Sequence, residues 1–535
     1  MRVETGDLFA GKKFEPALRG SITVFLTIVF LLFFSLIGVA FEHARILSCE
    51  AYLRMSAHSA AMTVFGDYNK ELYEEYGLLA YGGYDGKEAE DLAYEMLLVL
   101  QENTQYTQDN AKIVYGNLYR LQELAVEISR MRTLSEPVIF TEQIEAYLKS
   151  NAIEDLTQEI QKKTEGTKTS AGIEEKLSLT KDYEKGKFEK DTGQGGTKET
   201  TTIVTEVEDL AGGNPLEAFI DLMRDGLLGL VCNVGTLSDG KVETREKEDT
   251  ASKEKEPEGK PGAAEYLEGI LKESSIEEIE AVGKDEPEFL DKIKYICYAK
   301  DQFSCYTEDR GRTTKYGREY LIAGKQEEKD NLLHVVTKLL GTRLLLNFVT
   351  IVADPVLQQK SLATATAIAG FTGIMPVIYA VQYVILLILA FEEACVDVTA
   401  LLEGRGVPVM KSATDLKIHY EEICLASKAL FLKKAGEYSK EVKNKGIFIT
   451  YEQYVWLFLL GESKELLLKR SLDLIQHDLR EKYNQTFRIE TCICESNYVV
   501  QYQMSVLFEK IPLLSGSLGD AAIRELEVKY GYKNR

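Results

Sequence analysis

The feature that most constrains this chain is an apolar run near its start, from Ser21 to Phe41. Its 21 residues carry no charge, and fifteen of them are Ile, Leu, Val or Phe. A helix of about 20 such residues crosses the roughly 30 Å hydrocarbon core of a bilayer. Because only a helix satisfies its own backbone hydrogen bonds in lipid, the run predicts a transmembrane helix over residues 21–41.

Basic residues flank this run unequally, and the side that has more of them normally stays in the cytoplasm. Four precede the run and two follow it: Arg2, Lys12, Lys13 and Arg19, then Arg45 and Arg54. This bias predicts a cytoplasmic basic segment 1–20 and a single membrane crossing, with the bulk of the chain extracellular. A cleaved secretory signal is the alternative, since Gly38-Val39-Ala40 is a small-x-small site. The run is longer than the core of such a signal, which favours a retained anchor.

No helix breaker ends the apolar run. The sequence contains neither Pro nor Gly between Phe41 and Gly66, so the helix is predicted to continue to Phe65. Small residues between Ser56 and Ala61 would let another element approach the helix closely. Two interpretations stay open: the helix packs on its own domain, or it contacts a helix of another subunit.

Composition excludes some classes of function. The chain of 535 residues has a formal net charge of −22, which argues against nucleic acid as a partner because phosphate binding needs clustered Lys and Arg. Its eight cysteines include no C-x-x-C pair, so no zinc ribbon or thioredoxin-type site is predicted. Cys492 and Cys494 are expected to be two buried thiols on one face of a strand.

Changes in composition divide the rest of the chain. Polar stretches at 162–202 and 238–263 are predicted to be flexible linkers, since they lack the apolar residues needed to offset their ordering. The predicted domains between and around them are a helical stalk and part of the outer domain at 42–161, a packed apolar segment at 203–237, and a helix-rich outer domain at 264–535.

The fold class expected from these patterns is α+β and dominated by helices. Lys87 to Glu102 has the apolar spacing of an amphipathic helix, and the chain to about Gln161 is also predicted to be helical. Residues Phe487 to Phe508 switch to an alternation of period two. Because two β-rich runs flank Glu495-Ser496-Asn497, this stretch predicts a late β-hairpin with its turn there.

A second apolar run is ambiguous. Ser361 to Phe391 contains no charged residue, and its length would allow a second membrane span. Gly370, Gly373 and Pro376 interrupt it, which favours a helical hairpin buried in the outer domain. A protein with two spans and a cytoplasmic tail is the alternative.

No catalytic, cofactor-binding or metal-binding residue is predicted. The five histidines form no H-E-x-x-H pattern, and no phosphate-binding loop or nucleophile motif is present. His477 and Asp478 are adjacent on a predicted helix, so their side chains do not share a face. The acidic pairs Glu74-Glu75 and Glu392-Glu393 are interpreted as solvated helix faces or interfacial charges. No small-molecule substrate is indicated, and a membrane-associated enzyme remains an alternative.

The N-terminal stretch RGSITVFLTIVFLLFFSLIGVAFEHARI resembles the anchor of TadE/TadG-like proteins, which belong to tight-adherence (Flp) pilus machinery. The resemblance is carried by Arg19 and Gly20 before the span and by Glu42 and Arg45 after it. Further stretches are similar to a large Gram-positive branch of that group that has no settled activity: Leu72–Gly83, Tyr316–Pro355, Ala390–Ser412 and Ile449–Leu460.

This resemblance implies a pilin-like plan and protein partners in a pilus or related surface machinery. It also implies a processing site between Gly20 and Ser21. Such mature chains usually carry Glu at their fifth position, whereas Phe25 stands there in this sequence. An uncut accessory protein is therefore expected rather than the major pilus subunit. An extracellular binding or adhesive module on the same anchor is the alternative.

Overall fold

A computed structural model describes residues 17–84, 88–104, 119, 121–150, 213–245, 267, 269–270, 272, 286–439, 448–505 and 523–532. Its helices are α1 Ala17–Val64, α2 Lys70–Tyr76, α3 Glu88–Thr104, α4 Pro137–Ser150, α5 Pro215–Leu222, α6 Gly226–Val231, α7 Glu286–Gln302, α8 Gly317–Ala323, α9 Glu328–Val352, α10 Pro355–Ala369, α11 Met375–Leu402, α12 Lys428–Ala435, α13 Tyr451–Gly461 and α14 Lys464–Lys482. The strands are β1 Tyr81–Gly82, β2 Leu121–Thr133, β3 Val407–Pro408, β4 Phe448–Ile449, β5 Cys492–Met504 and β6 Arg524–Gly531.

Helix α1 is one continuous helix of 48 residues, about 72 Å long at 1.5 Å per residue. It runs without a break through the apolar segment and beyond it. The helix ends where the Gly66 N–H bonds back to the carbonyl of Met62 at 3.1 Å. The prediction of a long N-terminal helix is therefore confirmed.

Strand β5 is the centre of an antiparallel sheet. Strand β2 pairs along one of its sides, with Val126 opposite Val500. On the other side β6 places Leu526 opposite the same Val500, and β1 pairs at the start of β5, where Tyr81 is opposite Ile493. In β2 and β6 the side chains alternate between a face that packs on α1 and α3 and an exposed face, whereas every residue of β5 from Cys492 to Ser496 is buried.

The helical prediction for the chain before Gln161 is wrong at β2. Leu124, Val126 and Ile128 point to the packed face, while Ala125 and Glu127 between them are exposed. This alternation is that of a half-buried strand, and pairing with β5 overrides the helical propensity of the segment. Residues 151–161 lie outside the described residues.

The α+β class with a late hairpin is confirmed, but the predicted position of the hairpin turn is wrong. Glu495, Ser496 and Asn497 lie inside β5 and pair with β2 on one side and β6 on the other. A strand with partners on both sides cannot turn there, so the period-two pattern continues through all three residues. The late antiparallel pair is formed by β5 and β6.

The described residues have two hydrophobic cores. The helical unit, which comprises α2 and α4–α14, encloses the larger one. The sheet unit comprises the part of α1 after Phe41 together with α3, β1, β2, β5 and β6, and it encloses the smaller one. Strand β5 belongs to both, since Cys492 and Cys494 pack in the larger core and Ile493 packs in the smaller. Both of these cysteines are buried free thiols, as predicted.

The second charge-free run forms a helical hairpin of α10 and α11. Every residue of α11 from Ile385 to Leu402 is buried, mainly against α9, α10 and α12. A membrane span through these residues is therefore not needed to remove them from water. The tip of the hairpin, by contrast, is exposed around Phe371.

The segments around the predicted linkers are partly described. Phe219 of α5 contacts the ring of Phe391 with centroids 5.4 Å apart, so this apolar segment packs on α11. Residues 238–245, at the start of the second predicted linker, also pack on the helical unit, where Val242 is buried and Arg245 pairs with Asp473 at 2.7 Å. The flexible linker therefore does not begin at residue 238. The first predicted linker, 162–202, lies outside the described residues.

Candidate functional site: the junction between the apolar helix and the sheet

The first half of α1 has no cover from the rest of the described chain. Every large apolar side chain from Ile22 to Ile37 is between 45% and 67% exposed. These side chains point in all directions around the helix, which is the pattern of a helix surrounded by lipid rather than of an amphipathic surface helix. Arg19, Gly20 and Ser21 lie in the first turns of α1, and only their backbone is described.

Two helices of the described residues are long and apolar enough to cross a membrane, namely α1 and α9. They differ in burial, since 6% of the apolar window is buried in α1 and 72% in α9. Helix α9 packs on α8 and α11, so the protein itself covers its apolar side chains. The unpartnered apolar surface in this comparison belongs to α1.

The second half of α1 carries a buried stripe at helical spacing. The stripe packs on α3 and β6. Its members are Glu42, Arg45, Cys49, Leu53, Ala57, Ala60, Ala61 and Val64. The small residues noted in the sequence thus allow α3 and the sheet of the same chain to approach closely. Burial also raises the pKa of the Cys49 thiol to about 11, which keeps it protonated and unreactive.

Glu42 and Arg45, the two residues that follow the apolar run in the anchor pattern, form a buried ion pair. Their exposed fractions are 0% and 3%, and the Arg45 Nε lies 3.2 Å from the Glu42 carboxylate. Arg45 also donates from Nη1 to the Tyr119 carbonyl at 3.1 Å and from Nη2 to the Ser505 carbonyl. One guanidinium thus holds the chain before β2 and after β5 against α1, at the point where α1 leaves its apolar segment.

The opposite side of the same half of α1 is a second stripe, which faces outward. Leu47, Met55 and Met62 are 65%, 68% and 53% exposed, and the exposed Ala51 lies between the first two. Residues four and seven apart share one face of a helix. We call these four residues the outward stripe. Its four members are apolar, although the exposed His58 lies on the same face between Met55 and Met62, and the stripe follows directly on the apolar half of α1.

A cleft of about 340 Å³ lies where α1 ends and α2 and α3 begin. Carboxylates and tyrosines dominate its lining, including Asp67, Glu71, Asp91 and Tyr84. Such a lining favours a cation over an anion. Tyr84 donates to Glu71 at 3.0 Å, so part of this polarity is already satisfied within the protein.

The helical unit contains a buried charge network that sequence reasoning missed. Asp397 accepts from Arg343 at 2.7 Å on one oxygen and from Lys411 at 2.5 Å on the other. Tyr438 adds a hydrogen bond at 2.9 Å. Burial alone would raise the pKa of Asp397, but Arg343 and Lys411 hold it below its usual value. The network joins α9 and α11 to the chain that follows β3.

The interpretation of Glu392 and Glu393 as solvated or interfacial charges is wrong. Both side chains lie on α11 and are 1% exposed. Glu393 accepts from Lys411 and from the backbone N–H groups of Lys417 and Ile418. Within the described part of the chain, Oε2 of Glu392 has no hydrogen-bond partner. Burial, together with the charges of Glu393 and Glu422, raises the pKa of Glu392 well above its usual value.

The other polar pairs weighed in the sequence have structural partners. His477 accepts from the backbone N–H of Glu243 at 3.4 Å, whereas Asp478 accepts from the Tyr76 hydroxyl at 2.8 Å. Their side chains therefore point to different neighbours, as adjacent helical residues should. In the described ranges, no group of three or more His, Cys, Asp or Glu side chains is placed to hold a metal ion.

Comparison with known families gives one match. A family of unknown function, DUF5702, matches residues 205–504, which is more than half of the chain. The chain belongs to DUF5702. In this DUF5702 protein the matched span runs from α5 to the end of β5, so α1 and the partner strands β2 and β6 lie outside it. Nothing among the curated proteins or the solved structures matches the chain.

Proposed function

We propose that this DUF5702 protein is a membrane-anchored, pilin-like accessory protein of a tight-adherence pilus or a related surface machinery. The observation that carries the proposal is the division of α1 into two halves. The first half is apolar and bare on all sides, whereas the second half packs on an antiparallel sheet of its own chain. A single rigid helix then connects the lipid bilayer to a folded body on one side of it.

The orientation follows from the flanking charges. Lys12, Lys13 and Arg19 precede the span, so the N-terminus is cytoplasmic and both folded units are extracellular. The cytoplasmic segment 1–20 stays attached, because Phe25 replaces the glutamate that follows the processing site in pilin-type subunits. The resemblance of Arg19, Gly20, Glu42 and Arg45 to the TadE/TadG-like anchor supports the assignment to pilus machinery.

The protein acts through helix association rather than through chemistry. The outward stripe runs about 22 Å along the helix axis beyond the membrane, from Leu47 to Met62. A partner helix that lies beside α1 in the bilayer would continue along this stripe. Close packing of small and apolar residues stabilises such pairs in lipid. The hydrogen bonds from Arg45 to the carbonyls of Tyr119 and Ser505 hold the sheet on the other side of α1, so the stripe remains accessible.

Site-specific photo-crosslinking in cells that assemble the machinery tests this function. A benzophenone amino acid at Met55, in the outward stripe, is expected to form an adduct with another membrane-anchored subunit. The matched control is Tyr94 of α3, which is 62% exposed in the same sheet unit but lies off the stripe. Adducts from Tyr94 alone, or none from Met55 in cells with assembled pili, would contradict helix association through this face.

A further inference from the structure

The tip of the α10–α11 hairpin is an exposed apolar surface. Phe371 is 90% exposed, a larger fraction than for any other large hydrophobic side chain in the described residues. Ile374 and Met375 follow at 53% and 49%, and Val377 at 38%. Leaving such side chains in water is unfavourable by roughly 25 cal/mol per Å² of apolar surface. A protruding cluster of this kind therefore marks a contact surface.

The tip is also free of charge over a long stretch. No charged residue occurs from Ser361 to Phe391. The nearest ones are held elsewhere, since Lys360 pairs with Glu421 at the base of the hairpin and Glu392 is buried. Protein-binding surfaces normally surround an apolar centre with a polar rim. Hydrocarbon, in contrast, disfavours any charge at all.

Some polar groups of the tip are hydrogen-bonded within the turn. The Gly373 N–H donates to the Gly370 carbonyl at 3.1 Å. Thr372 connects the two ends of the turn, because its hydroxyl donates to the Ala369 carbonyl at 2.7 Å and accepts from the Ile374 N–H at 3.2 Å. These three bonds lower the cost of moving the N–H groups of Gly373 and Ile374 and the Thr372 hydroxyl out of water.

We propose that this tip inserts into the surface of the same lipid bilayer that α1 crosses. The inference rests on the membrane-anchor part of the proposed function. Phe371, Ile374 and Met375 would enter the boundary between headgroups and acyl chains, to a depth of about 5–10 Å. The chain would then touch its membrane at two places, a spanning helix and a hairpin tip, and the helical unit would be held in one orientation above the bilayer.

The lengths of the helices allow this contact. The part of α1 from Glu42 to Val64 raises the sheet unit about 35 Å along the helix axis. Helix α11 has 28 residues and is about 42 Å long, which exceeds that height. The proposal therefore requires the hairpin to point along α1 toward the bilayer. The buried half of α11 anchors it in the helical unit, and the exposed half carries the tip.

Tryptophan quenching by brominated lipid tests the proposal on the full chain. Trp456 is the single tryptophan of the sequence, and within the described residues its indole N–H has no hydrogen-bond partner. Trp456→Phe therefore gives a silent background. Phe371→Trp in that background is the reporter, and Ile374→Trp is a second reporter in case the first disturbs the fold. The proteins are reconstituted in phosphatidylcholine vesicles with or without bromines on the acyl chains.

Two matched variants in the same background separate the tip from the anchor. Phe25→Trp reports the span of α1. Val356→Trp is the negative control, since Val356 is 58% exposed at the base of the same hairpin, about 22 Å along α10 from the tip. We expect at least about twofold quenching at positions 371 and 25 and little at 356, because bromine quenches only tryptophans that reach the acyl chains.

Each other result overturns the insertion of the tip. Quenching at position 25 without quenching at 371 or 374 would mean that α1 reaches the acyl chains and the tip does not. Blue-shifted emission at 371 without bromine quenching means that a protein surface covers the tip instead. No quenching at 25 removes the membrane anchor itself, and the proposed function fails with it.

Discussion

The two charge-free runs of this protein have similar sequences and opposite surroundings. Each ends in phenylalanine followed by acid, Phe41-Glu42 in α1 and Phe391-Glu392-Glu393 in α11. The run in α1 is bare, and its acid pairs with Arg45 three residues later on the same helix. The second half of the run in α11 is enclosed, and Glu393 and Asp397 of that helix pair with Lys411, which lies outside the helix.

The difference teaches that the location of the ion partners distinguishes the uncovered apolar helix α1 from the core helix α11 in this chain. A pair three residues apart can form on an isolated helix, before anything else folds. The network around Asp397 needs α9, α11 and the chain beyond β3 to be assembled. The Glu42–Arg45 pair therefore marks the end of the uncovered apolar segment, and the network around Asp397 marks the centre of the helical unit.

The variant with the largest expected effect disrupts the buried charge network around Asp397. Asp397→Asn removes the negative charge that compensates the buried Arg343 and Lys411. We therefore expect this variant to lower the free energy of unfolding by about 3–5 kcal/mol. Trp456, in α13 of the helical unit, reports this unfolding in a urea titration of the full chain. Glu403→Gln is the control, because its ion pair with Arg405 is partly exposed. Equal stability of the two variants would contradict a central role for the network.

The variant with the next largest expected effect disrupts the ion pair of Glu42 and Arg45. Arg45→Met removes both carbonyl bonds and leaves Glu42 buried without its partner, which is expected to destabilise the sheet unit by about 2–3 kcal/mol. Hydrogen exchange of β2 and β5 should become faster, while the Trp456 transition of the helical unit stays unchanged. Arg54→Met is the matched control on the same helix, since its pair with Glu50 is exposed. A shift of the Trp456 transition would mean that the two units do not respond separately.

The smallest expected change in the free energy of unfolding is an increase, and it depends on pH. The raised pKa of Glu392 means that unfolding releases its proton, so this contribution is fully present below the ordinary pKa and is lost as pH rises toward the folded pKa. Glu392→Met removes the ionisable group and with it the loss of stability at high pH. We expect it to stabilise the helical unit by about 1–2 kcal/mol at pH 8 and by little at pH 4. Glu393→Met should destabilise the protein instead, since the Glu393 carboxylate accepts hydrogen bonds from three donors, which would lose their acceptor. Stabilisation by both variants would exclude the assigned network.

The sequence was sufficient for features whose causes are local. The length of α1, the amphipathic α3 and the buried thiols of Cys492 and Cys494 follow from spacing within a few turns. Strand β2 was missed because its partner lies near the other end of the chain, and without β5 its alternation competes with good helix formers. The burial of Glu392 and Glu393 was missed for the same reason, since Lys411 and the backbone of Ile418 are not neighbours in sequence. For the junction, the sequence indicated Glu42 and Arg45 but not the carbonyls that Arg45 binds.

The central position of β5 also sets the order in which the protein can be made. Val126 pairs with Val500, so the sheet cannot form until the residues of β5, more than 370 positions after β2 begins, have left the ribosome. Helix α1 emerges first, and α3 is the early element that can cover part of its buried stripe. Until β5 arrives, the rest of that stripe is open to any strand or helix nearby, and such late pairing is where misassembly concentrates. A chain shortened before Cys492 would keep its anchor and never complete the sheet that rests on it.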